Sequence, residues 1–389
     1  MKLLRTYLTL VTLLLSFLGY SQSYNTFYGG IVNQYSPDTI HKNLVEFEGL
    51  GVKEHGTTPL TNTLNWLIDK YSNYGYTDIK IDTFNYNSQD DYNLIVTKIG
   101  TVYPNTYLIV DGHYDTKSGT GTNDNGSGVA VILEIARLLQ NVNTEYSIKF
   151  INFSGEEDGL IGSTWYVNNT VIPNSMDIKL VFNIDEVGGV NGLVNNTIVC
   201  ERDQSIPTLS NAASYAFTDT LATCVGLYSN LLTEISYAYS SDYMPFQANE
   251  NIITGLFEKN QTSHAHSPTD FLINMDTNYV YEVTQASIGA SLYFAVASQS
   301  SVGINDLNSS NIRDIKIYPN PVKDELTINL GVLTTEKTML KLINIIGETV
   351  IEKQVTNSIE KISLNHLPAG IYTLVMSSPT MQFTEKIIH

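Results

Sequence analysis

Short apolar segments of the chain repeatedly lead into an acidic residue or a histidine. Three of them, residues 107–110, 146–153 and 180–184, have the length and composition of buried strands. Ligands of open α/β sheets lie at the carboxyl ends of the strands, so we expect the polar side chains that follow these segments to meet at one edge. Together with side chains from two further loops, the candidates are His113, Asp115, Asp124, Glu156, Glu157, Asp185 and either His264 or His266.

The adjacent acids Glu156 and Glu157 give the strongest indication of a metal ion. Two neighbouring carboxylates at a strand end repel each other and lose hydration, and a bound cation relieves both effects. Carboxylates mixed with imidazole suit Zn²⁺, with Mn²⁺ or Co²⁺ as alternatives. The number of candidates favours two ions that share a bridging carboxylate, which could polarise a carbonyl group and activate a water. One acid would then stay off the metals and move protons.

Taken one at a time, these residues have simpler explanations. His113 and Asp115 could be an ordinary turn pair, although a carboxylate at this spacing could also orient a histidine ligand. Asp124 lies in a glycine-rich loop before a predicted helix at residues 129–139, where it could be the helix N-cap. Phosphate binding by this loop is disfavoured, because it lacks the lysine and the glycine spacing of a P-loop. Asp185 could be a turn residue, and only the repeated pattern favours a shared site.

Four motifs, taken in order, resemble those of one enzyme family. They read His-Tyr-Asp, Thr-Asn-Asp-Asn-Gly-Ser-Gly, Ser-Gly-Glu-Glu and Asn-Ile-Asp, at residues 113–115, 122–128, 154–157 and 183–185. In order and spacing they are similar to the co-catalytic zinc aminopeptidases, family twenty-eight of the metallopeptidases, which also includes glutaminyl cyclases. The resemblance covers residues 38–297. It implies the zinc exopeptidase fold, an α/β architecture with a mixed twisted sheet and helices on both faces.

The resemblance also implies a role for each candidate. Two zinc ions would be bound, and Asp124 would bridge them. The remaining ligands would be His113 and Asp185 for one ion, and Glu157 and His266 for the other. Glu156 would be the general base, and Asp115 the family's catalytic acid beside the first histidine. His266 is preferred to His264, because the family's last histidine precedes a Ser- or Thr-containing turn that ends in an aspartate, here Asp270.

One motif departs from the family pattern. Many members contain Ser-Asp-His where this chain has Ser241, Asp242 and Tyr243. That histidine is not a metal ligand in the family, so the predicted catalytic set is unaffected. The substrate-binding residues stay unassigned.

The predicted function is that of a secreted zinc exopeptidase, specifically an aminopeptidase that acts on peptide substrates. Two alternatives stay open. A glutaminyl cyclase is related to the family but works with one zinc ion. A catalytically inactive surface-binding protein would have kept the fold without the chemistry.

The N-terminal segment indicates export. Lys2 and Arg5 precede an apolar core at residues 8–18, which predicts a signal peptide over residues 1–22. The apolar core is too short for a stable membrane span. The catalytic domain would occupy residues 23–298, followed by a polar linker at residues 299–311.

The C-terminal segment, residues 312–389, contains short alternating strands separated by turns, which predicts a small all-β sandwich. Residues 318–321, 344–347 and 367–372 resemble the sorting domain of proteins exported by the type IX secretion system. This implies contact with that secretion machinery, passage through the periplasm, and release or attachment at the cell surface. A generic β-sandwich binding module is the alternative.

Composition narrows the class of protein. The chain has 389 residues and a formal net charge of −18, which argues against a nucleic-acid or anionic-membrane partner. No later stretch reaches membrane-spanning length, so no stable transmembrane segment is predicted. Cys200 and Cys224 are the only cysteines, which rules out a thiolate metal site as the main chemistry. They could pair in the oxidising compartment that export leads to.

Overall fold

The computed structural model describes residues 23–299, 315–330, 338–344, 348–355, 357–368, 370–378 and 381–389. The chain divides into two compact units, Met1–Gln299 and Ser300–His389. The predicted signal peptide and all but the first residue of the predicted linker lie outside the described residues. Among the described helices, none is both long and apolar enough to cross a membrane.

Helices and strands alternate along the first unit. Its helices are α1 (Thr26–Val32), α2 (Pro37–Gly49), α3 (Thr58–Asn73), α4 (Gly126–Leu139), α5 (Ile161–Tyr166), α6 (Asn211–Tyr228), α7 (Met244–Ala248) and α8 (Thr277–Phe294). Its strands are β1 (Asp78–Tyr86), β2 (Gln89–Lys98), β3 (Tyr103–His113), β4 (Asn143–Thr144), β5 (Tyr146–Phe153), β6 (Asp177–Ile184), β7 (Thr197–Arg202), β8 (Leu232–Tyr237), β9 (Ile253–Glu258) and β10 (Ala297–Ser298).

The longer strands of this unit form one eight-stranded sheet in the order β1-β2-β5-β3-β6-β9-β7-β8. The central strands β5, β3, β6 and β9 are parallel to one another. The pairs β1–β2, β2–β5 and β7–β9 are antiparallel, and β8 is parallel to β7. Because the central strands point the same way, the residues that follow β3, β5 and β6 reach the same edge of the sheet.

Apolar side chains cover both faces of this sheet. Along β3, Leu108 and Val110 pack on the face that is covered by α2, α3, α4, α6 and α8. Ile109 lies on the opposite face, with Tyr166 of α5 and Phe246 of α7. Successive strand residues point to opposite faces, so a continuous apolar run indicates a strand buried on both sides. The predicted α/β fold, with a mixed sheet and helices on both faces, is confirmed.

Helix α4 begins earlier than the sequence predicted, at Gly126. Asn125 is its N-cap, because the Asn125 side chain accepts a hydrogen bond from the N–H of Gly128 at 2.9 Å. The N-cap explanation for Asp124 is therefore wrong, and its carboxylate is available for another role.

Several elements had no counterpart in the sequence prediction, notably α6 and α8. Helix α8 has apolar residues around much of its circumference, because it is buried along nearly its whole length and packs against α6. Cys200 in β7 and Cys224 in α6 are buried free thiols, so they do not pair in the structure. Burial raises the pKa of the Cys224 thiol to about 12.

The second unit consists of antiparallel strands. They are β11 (Lys316–Tyr318), β12 (Glu325–Asn329), β13 (Thr338–Asn344), β14 (Thr349–Val355), β15 (Ile359–Ser363), β16 (Ile371–Ser378) and β17 (Met381–Ile388). They form one sheet in the order β11-β12-β15 and another in the order β14-β13-β16-β17. Leu326 and Ile328 of the first sheet share a core with Leu340 and Leu374 of the second. The predicted all-β architecture of this segment is confirmed.

Candidate metal centre

The carboxyl ends of three neighbouring strands carry most of the predicted site residues. His113 is the last residue of β3, Asp185 directly follows β6, and Glu156 and Glu157 lie shortly after β5. Strand β3 lies between β5 and β6 and is parallel to both. The sheet therefore delivers these four side chains to one edge, where Asp124 joins them from the loop before α4.

His113, Asp124 and Asp185 form a cluster that we call the inner triad. Nε2 of His113 lies 3.2 Å from Oδ1 of Asp185 and 3.3 Å from Oδ1 of Asp124. One potential ligand atom from each residue lies within 4.8 Å of the other two, and all three residues are buried. Nδ1 of His113 lies 3.1 Å from the backbone oxygen of Asp115. That contact favours the tautomer that leaves Nε2 free to bind a metal.

Asp124, Glu157 and His266 form a second cluster, the outer triad. Nε2 of His266 lies 2.8 Å from Oε2 of Glu157 and 3.1 Å from Oδ2 of Asp124. The His266 side chain is 55% exposed. The structure therefore places His266 at the site, as expected, and not His264. Nδ1 of His264 lies 2.7 Å from Oγ1 of Thr269 instead.

Asp124 belongs to both triads through different oxygens. Its Oδ1 faces His113 of the inner triad, and its Oδ2 faces His266 of the outer triad. A carboxylate that presents one oxygen to each of two ligand groups has the arrangement of a bridge between two ions.

The chemistry of the two triads fits divalent zinc. Oε1 of Glu157 is buried without a hydrogen-bond partner in the described part of the protein. Burial raises the pKa of Glu157 to about 10, and the charge of Asp124 adds to this effect. Burial alone would lower the pKa of His113, but the carboxylates of Asp185 and Glu156 raise it well above its usual range. Buried ligand groups whose pKa values are raised in this way release their protons when a cation binds. A set of carboxylates and imidazoles suits Zn²⁺.

Glu156 lies beside the inner triad and belongs to neither triad. Its Oε2 is 3.9 Å from Nε2 of His113, and 13% of its side chain is exposed. Burial raises the pKa of Glu156 to about 8; His113 opposes this shift, and Asp185 adds to it. A carboxyl group that lies next to the ligands without belonging to them can take up and release protons during a reaction.

Asp115 acts on the backbone that carries the two glutamates. Its Oδ1 accepts a hydrogen bond from the N–H of Glu156 at 3.3 Å, and its Oδ2 accepts one from the N–H of Glu157 at 3.1 Å. Its Oδ1 also lies 3.6 Å from Nδ1 of His113. These contacts give Asp115 a positioning role. The direct catalytic role that the resemblance implies stays a prediction.

Asn125 holds the backbone on both sides of Asp185. Its Nδ2 donates to the carbonyl oxygen of Ile184 at 2.9 Å, and its Oδ1 accepts the N–H of Glu186 at 3.3 Å. Sequence analysis missed this role, although Asn125 lies in the motif at residues 122–128. The only signal was its place directly after Asp124.

Two further residues near the site were not assigned from the sequence. Oγ of Ser241 donates to Oδ2 of Asp185 at 2.7 Å and so restricts the orientation of this carboxylate. Tyr243, which stands where many family members have histidine, is 1% exposed, and its hydroxyl donates to Oε2 of Glu201 at 2.6 Å. Tyr243 is therefore a buried residue whose polar group is satisfied.

A cleft of about 360 Å³ adjoins the outer triad. Its lining includes Asp115 and Glu157 of the site and, beyond them, Glu54, His55, Lys117 and Asp158.

Comparison with known proteins identifies the first unit. Residues 93–290 match the model of peptidase family M28. The chain belongs to this family. The resemblance inferred from the four motifs is confirmed, and the M28 region contains all the residues of both triads. Residues 316–389 match the model of the secretion system C-terminal sorting domain, which confirms the second resemblance.

Among curated proteins, the M28 chain is similar to aminopeptidase YwaD of Bacillus subtilis (strain 168). The two are 30% identical over 200 residues, which are 49% of this chain and 42% of YwaD. The chain spans less than half the length of several curated relatives that it matches.

Solved structures show the same fold. The LapA aminopeptidase of Legionella pneumophila has a TM-score of 0.61 at 19% identity, covering 72% of this chain and 76% of LapA. A glutaminyl cyclase of Bacteroides thetaiotaomicron, bound to N-acetylhistamine, has a TM-score of 0.55 at 17% identity, covering 66% of this chain and 97% of the cyclase. Because both peptidase and cyclase share the fold, the fold does not select between these activities.

Proposed function

We propose that the protein is an exported zinc aminopeptidase that removes N-terminal residues from peptides. The observation that carries this proposal is the pair of triads that share Asp124 through its two oxygens. Membership of peptidase family M28 and the similarity to aminopeptidase YwaD support it. A single-zinc glutaminyl cyclase needs only one set of ligands, so the second triad favours the peptidase. The inactive binding protein is disfavoured, because both triads are present together with Glu156.

Five side chains would hold two zinc ions: His113 and Asp185 for the inner ion, Glu157 and His266 for the outer ion, and Asp124 for both. Bound zinc supplies Lewis acidity toward a carbonyl group and a water of lowered pKa. Oε1 of Glu157, a buried carboxylate oxygen with no donor among the described residues, supports this assignment.

Glu156 is the proposed general base. It would accept a proton from the attacking water and return it to the nitrogen of the leaving amine. Its position 3.9 Å from Nε2 of His113, outside both triads, leaves the carboxyl group free for proton transfer. Asp115 would keep Glu156 and Glu157 in place through their backbone N–H groups.

The charge of the site supports a peptide with a free amino group as the substrate. Glu186 follows Asp185 and adds a carboxyl group that no triad uses. Burial raises the pKa of Glu186 to about 10, and the nearby carboxylates of Asp124 and Asp185 add to the shift. Glu186 belongs to neither triad, so its carboxylate would stay available to pair with a positively charged α-amino group, which is why we propose cleavage from the N-terminus.

The proposed location is the cell surface or the extracellular medium. The sorting domain at residues 316–389 suggests export through the type IX machinery. We propose that the segment at residues 1–22 first directs the chain into the periplasm, and that the sorting domain then directs its transport across the outer membrane.

A peptide library tests the proposed activity. The protein would be incubated with peptides that differ in the N-terminal residue, and the products would be identified by mass spectrometry. Removal of the first residue would support the aminopeptidase. Loss of ammonia from an N-terminal glutamine would identify a cyclase, and unchanged peptides with no bound zinc would identify an inactive binding protein.

The variant Glu156→Gln tests the proposed base. We expect kcat to fall by about 10²- to 10⁴-fold, because general acid–base catalysis contributes that much to typical enzymes. The zinc content should stay at the wild-type level, since Glu156 belongs to neither triad. Glu250→Gln, at an exposed position, is the control and should leave both quantities unchanged. Wild-type kcat in Glu156→Gln would contradict the role of Glu156 as the base.

A further inference from the structure

The loop that carries Asp124 and the loop that carries His266 are joined by one buried carboxylate, that of Asp270. Oδ1 of Asp270 accepts a hydrogen bond from the N–H of Asn123 at 2.9 Å, and Oδ2 accepts one from the N–H of Asp124 itself at 3.0 Å. Asp270 is 2% exposed. Both carboxylate oxygens are therefore used to hold the backbone of the shared ligand.

The same two loops meet at further points. The backbone oxygen of Asp270 accepts hydrogen bonds from Oγ1 of Thr120 at 2.6 Å and from the N–H of Thr122 at 3.3 Å. At Gly119 the loops approach so closely that an added Cβ would lie 2.0 Å from the carbonyl oxygen of Ser267. Residues 119–124 and 267–270 thus form one packed unit with Asp270 in its interior.

His266 needs this support because little else holds its ring. Its Nε2 faces Asp124 and Glu157, and no partner for its Nδ1 is found among the described residues. A histidine ligand usually donates its second ring nitrogen to a carboxylate, a carbonyl group or a water. His113 has such a contact, with the backbone oxygen of Asp115. For His266, the position of the ring depends on the position of its loop, and Asp270 anchors that loop.

The inner triad does not depend on this anchor in the same way. His113 and Asp185 lie at the ends of adjacent parallel strands, and Asn125 holds the backbone on both sides of Asp185. A change at Asp270 would alter the distance from Asp124 to His266 while the strand ends stay in place.

We propose that Asp270 is a positioning residue for the outer zinc ion: it fixes the separation between Asp124 and His266 by binding the backbone of Asp124. This inference rests on the proposed two-zinc function and explains what fixes the geometry of the outer zinc site. Its effect should be larger for the outer ion, because the inner ion keeps His113 and Asp185 at the strand ends even if Asp124 shifts.

The variant Asp270→Asn tests the inference, because an amide NH₂ cannot accept the hydrogen bond that one carboxylate oxygen accepts now. Removing a hydrogen-bond partner that orients a metal ligand lowers metal affinity by about 10- to 100-fold. We expect the wild-type protein to bind two zinc ions and Asp270→Asn to keep one after dialysis against a zinc buffer, with peptidase activity returning as free zinc is raised. Zinc content and chelator titration measure this without relying on activity.

A matched control is Asp276→Asn. Oδ1 of Asp276 also accepts two backbone N–H groups, those of Asn278 at 3.1 Å and Tyr279 at 3.4 Å, but it caps α8. In this variant the asparagine oxygen can still cap the helix, and the acceptor that is lost is Oδ2, which now takes a hydrogen bond from Nδ2 of Asn195 at 2.9 Å. An acidic side chain of the same fold is thus changed in the same way away from the site, and both zinc ions should stay bound. Circular dichroism of both metal-free variants would show that they are folded. If Asp270→Asn does not fold, Thr120→Val removes the hydroxyl donor to the Asp270 backbone and should weaken the same ion to a smaller degree.

The outcomes separate this inference from the proposed function. Two zinc ions bound to Asp270→Asn with wild-type affinity, or a parallel loss of both ions, would overturn the selective role of Asp270. If Asp270→Asn does not fold, wild-type zinc affinity in Thr120→Val would overturn it. In each of these cases, the proposed function would still hold if the wild-type protein binds two ions and cleaves peptides. Wild-type protein that binds fewer than two ions would overturn both.

Discussion

The inner and outer triads share Asp124 and yet are built in different ways. The inner triad is buried, and its other ligands lie at the ends of β3 and β6. The outer triad depends on His266, which comes from a loop, has a backbone φ of 52° and exposes 55% of its side chain. Strand ends are held by a hydrogen-bonded sheet, whereas a loop is held by individual side-chain contacts. We therefore expect the inner ion to be bound more tightly than the outer one.

The largest effect on zinc binding is expected when one histidine is removed from each triad in turn, which tests the comparison between the two triads. His266→Ala should lose the outer ion and keep the inner one, whereas His113→Ala should lose the inner ion and also destabilise the fold. The zinc affinity of the site that loses its histidine should fall by more than the roughly 10- to 100-fold that follows from removing a hydrogen-bond partner of a metal ligand. Peptidase activity should drop to background in both, because the proposed reaction uses both ions.

Zinc content per chain and the melting temperature of each variant measure these effects. His41→Ala, a histidine in α2 with no part in either triad, is the control for both. If the zinc ion that remains in each of the two site variants resisted a chelator equally well, a difference between the triads would be contradicted.

The metal-free protein should lose stability as the pH rises from about 5 to about 8. Burial raises the pKa of Glu156 to about 8 and that of Glu157 to about 10, and both values exceed the unfolded value of 4.5. The folded state therefore binds more protons than the unfolded state in this window, and stability falls with pH. The raised pKa of His113 acts in the same direction.

Zinc should reverse this dependence, because the cation takes the place of the protons. The increase in melting temperature on zinc addition should therefore grow between pH 5 and pH 8, as measured by thermal unfolding with and without a chelator. A zinc-induced increase that is constant over this range would argue against a shared site that exchanges protons for metal.

The smallest effect is expected at Tyr243→Phe, which lies outside both triads. The change removes the hydroxyl that donates to Glu201 and leaves a buried acceptor unsatisfied, at a cost of about 1–3 kcal/mol in the free energy of unfolding. Urea denaturation measures that cost. Zinc content and kcat/KM should stay close to wild type, and a loss of zinc would show that the position acts on the metal centre after all.

The sequence by itself was sufficient for the local features of the site. Residues 146–153 were predicted as a buried strand and form β5, and Glu156 and Glu157 follow it as expected. The apolar runs and the acids or histidine that end them are local patterns, and a parallel sheet turns such patterns into one shared edge. The family resemblance rested on the order and spacing of four short motifs, which can also be seen in the linear chain.

Only the tertiary structure decided which role each of these residues has. It assigned one oxygen of Asp124 to each triad, directed Asp115 toward the backbone of the glutamates, and placed Asp270 against the N–H of Asp124. Such contacts join residues that lie far apart in the sequence, and no local pattern records which hydrogen-bond donor a buried carboxylate will meet. The strand order was also decided by the tertiary structure. Strand β9 pairs with β6 in the sheet although β7 and β8 lie between them in the sequence, and such a pairing depends on long-range packing.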